Sequence, residues 1–108
     1  MAVTWMEFVD AFRNCAGTGN TDQLRTLLTD DFNWPTSELN LQETLDWTAN
    51  TSYRVTGEEV TLYENESVIA GTHDVYDDNG EFNVVMGVGN LRGGKVYLYH
   101  HMRKVKAA

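Results

Sequence analysis

The chain has almost no cysteine and almost no proline: Cys15 and Pro35 are the only ones in 108 residues. A lone cysteine forms no internal disulfide, and no histidine or second cysteine stands near Cys15 at zinc-ligand spacing. A disulfide framework and a structural zinc site are therefore both excluded as the source of stability, and the expected compartment is the reducing cytoplasm. Long hydrophobic runs are missing too. None nears the roughly 20 residues of a membrane helix, and the N-terminal segment meets acids at Glu7 and Asp10, which predicts neither a membrane partner nor a secretory signal. Bases are scarce, with 8 Lys and Arg against 16 Asp and Glu, a net charge of −8 and a pI near 4.6. Such a chain repels polyanions at long range, so nucleic acid is not an expected partner. Acids in turn are absent from the last quarter: all 16 lie at or before Glu81, and five of the eight bases follow it. The simplest reading pairs the final strands with acid-bearing neighbours; a basic binding strip is the alternative.

What is present is ordinary for one globular domain spanning 1–108, with 42% hydrophobic and 22% charged residues. Trp5, Phe8, Val9, Phe12, Cys15 and Ala16 recur at three- and four-residue steps and predict an amphipathic helix. Thr4 with Glu7 forms a capping-box pattern, and "GTGN" at Gly17 to Asn20 ends the helix. A second helix is predicted from Asn20, with Gln23 at the capping-box position and Leu24, Leu27 and Leu28 as its buried stripe. "TDDFNWP" closes it. A short third helix follows Asn40, with Glu43 three residues on, Leu41 and Leu45 inward and Trp47 near its end. After Asn50 the texture turns β-branched and aromatic, and strands are predicted at Ser52–Val55, Val60–Glu64, Ser67–Tyr76, Glu81–Leu91 and Lys95–Val105. "DDNG" at Asp77 to Gly80 predicts a type I′ hairpin turn and "RGGK" at Arg92 to Lys95 another turn, so these strands are antiparallel neighbours.

Helices followed by a meander predict an α+β fold with the helices on one face of the sheet. Long strands twist and curl, and a curled sheet capped by helices leaves a cone with an open mouth, a natural place for a small molecule. The other face also carries apolar residues of both parities, Val84, Met86 and Val88 alternating with Val85 and Leu91, which predicts a homodimer through the sheet.

Several stretches resemble the nuclear-transport-factor-2-like (NTF2-like) superfamily, and within it the SnoaL-like polyketide cyclase group. "FVDAFRNCAGTGNTDQLRTLLTDDFNW" (Phe8 to Trp34) is similar to the opening two helices, "ETLDW" (Glu43 to Trp47) to the third, and "GGKVYLYHH" (Gly93 to His101) to the final turn and strand. The resemblance covers nearly the whole chain. It implies an NTF2-like cone: three N-terminal helices packed on a curved antiparallel sheet, a pocket between them, and a sheet-mediated dimer. It does not imply one activity, since the fold hosts isomerases, cyclases, epoxide hydrolases and proteins without chemistry. The Arg-x-Asp and the late Asp of the epoxide hydrolases have no counterpart here, because "NVVMGVGN" (Asn83 to Asn90) lacks charge and the late positions hold Arg103 and Lys104. The isomerase pattern of a tyrosine and two acids can be nominated from Tyr53, Asp46 and Asp74, but their spacing does not show that they converge.

The candidate catalytic residues are His73 and Asp74 in "AGTHDVY". Neighbours in a strand face opposite ways, so at most one of them faces a pocket: His73 goes with Ile69, Gly71 and Val75, Asp74 with Val68, Ala70, Thr72 and Tyr76. Either a neutral imidazole or a desolvated carboxylate is an admissible base. The plainer readings are a packed histidine and a solvated acid beside the turn. Strict alternation along the last strand puts Val96, Leu98, His100 and Met102 on a drier face, and Tyr97, Tyr99, His101 and Arg103 on an aromatic, polar one. Trp34 and Trp47 bracket the third helix, where the mouth should lie. The expected pocket lining is thus Trp34, Trp47, Tyr53, Tyr99 and His101. No metal site and no cofactor is expected, since nothing places His73 beside a second histidine and a carboxylate. Two functions follow: proton transfer on a small apolar carbonyl compound by an isomerase or cyclase, or a module that binds a ligand or dimerises without chemistry.

Overall fold

In a computed structural model, which describes residues 2–106, three α-helices and seven strands build an α+β fold around one core. Helix α1 (Trp5–Thr18) starts in the expected box: the Thr4 side chain accepts from the Glu7 N–H and Glu7 accepts from the Thr4 N–H. It ends at Gly19, which takes the left-handed conformation at φ 76°. Its stripe of Trp5, Phe8, Val9, Ala11 and Cys15 is buried. Helix α3 (Leu41–Asn50) begins in the same way with Asn40 and Glu43.

The second helix departs from expectation. Helix α2 covers only Asp22–Leu27, its N-cap is Thr21, and Asn20 instead accepts from the Asp22 N–H. Leu28 is not on that helix. It opens strand β1 (Leu28–Trp34), where Leu28, Phe32 and Trp34 share one parity and are buried. The expected block of three N-terminal helices is therefore split by a strand. β1 lies parallel to the last strand, so the sheet is mixed rather than purely antiparallel. A 3-10 turn at Pro35–Ser37 and the short β2 (Leu39–Asn40) join β1 to α3. Beyond α3 come β3 (Arg54–Val55), β4 (Val60–Glu64), β5 (Val68–Tyr76), β6 (Phe82–Arg92) and β7 (Lys95–Val105).

The sheet runs β2-β1-β7-β6-β5-β3, with β4 also on β5. Register slips interrupt the β1–β7, β4–β5 and β6–β7 ladders, and such bulges bend a sheet into a half-barrel around α1. Two glycines permit the closest approaches. A Cβ on Gly71 would fall 2.3 Å from the Trp5 indole nitrogen, and one on Gly87 2.3 Å from the Tyr99 hydroxyl. The two hairpins differ. Gly93 and Gly94 both have positive φ, as a type I′ turn requires, whereas at Asp77–Gly80 only Gly80 does. That second turn is not the expected type I′. Asp77 is fixed instead as an acceptor for the Asn79 and Glu81 N–H groups and the Asn83 amide, and Gly80 alone absorbs the left-handed step.

Candidate functional site

The bulge on β7 decides which residues meet the helices. Asn90 pairs with Leu98 but Leu91 pairs with Val96, so Tyr97 is the extra residue and alternation inverts across it. Val96 and Tyr99 consequently both point inward and are buried, while His100 and Met102 are exposed. The expected drier face of Val96, Leu98, His100 and Met102 does not exist as a unit, because strict alternation fails at the bulge.

Between α1, α3, the 35–37 turn and the inner face of β5 to β7 lies a hollow of about 440 Å³. Phe12, Trp34, Trp47, Tyr53 and Tyr99 form its aromatic wall, Val55, Val75 and Val85 add aliphatic surface, and His73, His101 and Arg103 are its titratable polar groups besides the tyrosines. The rings brace one another. Trp34 meets Trp47 edge-on with centroids 5.9 Å apart and Tyr99 at 5.4 Å, Tyr99 meets Phe8 at 4.9 Å, and Trp47 meets Tyr53 at 5.3 Å. No aspartate or glutamate lines the hollow among the described residues.

Trp34 ends β1 at φ −122° and ψ 78°, outside the α region that a following proline disfavours, and Pro35 turns the chain so that Thr36 and Ser37 also reach the hollow. The Trp34 indole N–H donates to His101 Nδ1 at 2.7 Å, and the Thr36 hydroxyl lies 2.8 Å from the same nitrogen while accepting the His101 backbone N–H at 3.1 Å. An indole nitrogen only donates, so Nδ1 accepts and the ring proton of neutral His101 sits on Nε2. Burial, then the nearby Arg103 and His73, hold His101 below the ordinary histidine range. The Tyr99 ring stacks on His101 at 6.0 Å and 10°. Burial pushes the Tyr99 hydroxyl well above its usual value, so it stays protonated. Arg103 donates to the Tyr53 hydroxyl at 2.7 Å.

His73 lines the hollow from β5, beside the Trp5 ring at 6.2 Å. Its Nδ1 lies 3.3 Å from the Asp74 carbonyl, a contact only a protonated nitrogen supports, which leaves the Nε2 lone pair free. Burial depresses its basicity, with Arg13 adding to the effect against the opposing Asp74 carbonyl bond. Asp74 points to the other face. It pairs with Val84 and not with the hollow, its carboxylate lies 3.5 Å from Lys106 Nζ, and it is only 5% exposed there. The structure thus gathers His73, Trp34, Trp47, Tyr53, Tyr99 and His101 around one space and leaves Asp74 outside it. Arg103, Phe12 and Thr36 were not singled out as lining residues. Arg103 shares the inner parity of Tyr99 and His101 and was within reach of the alternation argument, whereas Thr36 depends on the path of a turn. Among the described residues no group of three metal-ligating side chains gathers, and no helix is long and apolar enough to cross a membrane.

A half-barrel sheet wrapped on helices, with an aromatic hollow between the layers, defines the NTF2-like fold. The comparison with solved structures gives the same answer. An NTF2-like protein of unknown function from Cytophaga hutchinsonii superposes with a TM-score of 0.72 at 16% identity, covering 92% of this chain and 85% of that one. A SnoaL-like polyketide cyclase from Agrobacterium tumefaciens gives 0.67 at 14% identity, over 93% and 87%. The Δ5-3-ketosteroid isomerase from a Mycobacterium species gives 0.58 at 14% identity, over 90% and 94%. No protein-family model and no curated protein matches the sequence. At these identities the likeness establishes the fold and leaves the activity to the site.

Proposed function

We propose that the protein binds a small, largely apolar, carbonyl-bearing molecule in the hollow and moves a proton on it, in the manner of an isomerase or cyclase, with His73 as the base. The observation that supports this reading is an aromatic hollow of about 440 Å³ lined by the half-buried imidazole of His73, whose basicity is depressed and whose Nε2 has no hydrogen-bond partner among the described residues. Asp74 is left out of the proposal, because its carboxylate lies on the outer face with Lys106. His101 Nε2–H and the Tyr99 hydroxyl are donors suited to an oxygen on which charge develops. The proteins of this fold named as a polyketide cyclase and a ketosteroid isomerase make such chemistry a reasonable expectation.

Exchange of the protons next to the carbonyl of tetralone in heavy water, followed by proton NMR, tests the proposal. Exchange above the buffer rate that vanishes in a folded His73→Gln variant is the expected result; equal exchange in both removes His73 from the mechanism. A second reading, a ligand-binding module without chemistry, is favoured by the lack of any carboxylate in the lining among the described residues. It predicts tetralone-induced quenching of Trp34 and Trp47 fluorescence with no exchange at all.

We further propose that a second copy covers the outer face of the sheet, where Met86, Val88 and Met102 are exposed at 49%, 39% and 73%. Light scattering that returns a dimeric mass, reduced to a monomer by Met102→Glu, is the expected outcome. The single buried thiol of Cys15 suits a reducing compartment such as the cytoplasm.

A further inference from the structure

The polar equipment of the hollow is one-sided. Tyr99, His101 and Arg103 succeed one another at two-residue steps on the inner face of β7, and each presents a donor. The indole of Trp34 occupies His101 Nδ1, so only Nε2–H is left to face a ligand. Arg103 spends one N–H on the Tyr53 hydroxyl, and no carboxylate among the described residues forms an ion pair with it. Asp77 is near enough to feel its charge, but the oxygens of Asp77 are engaged in the β5–β6 turn. Three of the four smaller hydroxyls in the lining are engaged, Thr36 with His101, Thr48 with the Thr44 carbonyl and Thr51 with the Tyr53 N–H; Ser37 is the fourth.

A neutral carbonyl would engage part of this donor set and leave the charge of the guanidinium unmatched by the ligand. A carboxylate matches it, because its two oxygens accept the planar fork of an arginine and a further N–H in charge-assisted bonds. The aromatic wall selects the other end of the molecule, since Trp34, Trp47 and Tyr99 offer ring faces and edges to a flat body. The chain's overall negative charge does not oppose this, as a single carboxylate at Arg103 feels mainly charges within a Debye length of about 8 Å.

We propose that the hollow takes a small aromatic carboxylate, with its carboxylate on Arg103 and His101 and its rings among Trp34, Trp47 and Tyr99. This rests on the hollow being a ligand site and narrows the carbonyl compound to an anion. Calorimetric titration with naphthoate and with its neutral isostere naphthamide, at neutral pH and about 0.15 M salt, tests it. Naphthoate binds about tenfold or more tightly than naphthamide, as charge-assisted bonds require. In Arg103→Gln the ratio collapses towards one. Arg103 is exposed, so the variant is expected to fold, which its circular dichroism checks. Equal affinity of the two probes for the native protein, or an unchanged ratio in Arg103→Gln, overturns the proposal and leaves the ligand site standing. Binding of neither probe overturns both.

Discussion

Replacing Gly87 by alanine tests how the hollow is built. A Cβ at this position would lie 2.3 Å from the Tyr99 hydroxyl oxygen, 2.7 Å from Cε1 and 2.8 Å from Cζ. Real contacts begin near 3.4 Å, so the ring must retreat by roughly an ångström. It has nowhere easy to go, for Phe8, Trp34 and His101 hold it from three sides and Tyr99 is 3% exposed. Overpacking of this kind costs about 1–3 kcal/mol. The smaller unfolded-state entropy of alanine returns about 0.4–1 kcal/mol, so the net loss should be about 1–2 kcal/mol. In a domain of this size that lowers Tm by roughly 5–10 °C. Urea melts followed by circular dichroism measure the loss. Gly17→Ala is the control: it lies in α1 with nothing within 4 Å of its added Cβ, and it should gain about 0.5–1 kcal/mol. In a Tyr99→Leu background, Gly87→Ala should cost at least about 1 kcal/mol less than in the native chain. Equal costs in the two backgrounds would refute the claim that the ring demands the glycine.

Three further outcomes follow from the geometry. Trp34→Phe removes the donor that occupies His101 Nδ1, so the imidazole should titrate at a higher pH; the C–H resonances of the ring followed by NMR across neutral pH show this, and an unmoved midpoint contradicts the assigned tautomer. His73 has a folded pKa below that of the unfolded chain, so the unfolded state binds more protons as pH falls and stability declines below about pH 6.5. Melts at descending pH should show a shallower decline in His73→Gln than in the native chain. Asp77 behaves in the opposite sense with respect to charge, because the N–H of Glu81, ahead of the Asn83 and Asn79 donors, holds its carboxyl below the usual range. Its contribution is present above about pH 4 and fades as pH drops through the folded value, so the stability gap between native protein and Asp77→Ala should close in acid. A gap that stays constant to strongly acidic pH would deny the role of the carboxylate in the turn.

The sequence by itself determined the caps of α1 and α3, the stripe of α1 and the strands of the second half. Those depend on side chains a few residues apart: Thr4 with Glu7, Asn40 with Glu43, and the alternation of β5 that separates His73 from Asp74. Tertiary structure decided three things that no local pattern holds. β1 is rich in aspartate, which strands disfavour, and it became a strand because β7 and β2 supply its ladder while Leu28, Phe32 and Trp34 reach the core. The β7 bulge turned Val96 and Tyr99 to the same side, an inversion visible only in the pairing with β6. The composition of the hollow came last. Trp34 and His101 stand 67 residues apart, and only the curl of the sheet and the turn at Pro35 bring the indole N–H to the imidazole. Hydrogen bonds between distant residues follow from the path of the whole backbone, so the donor-rich character of this site belongs to the fold and not to any one segment.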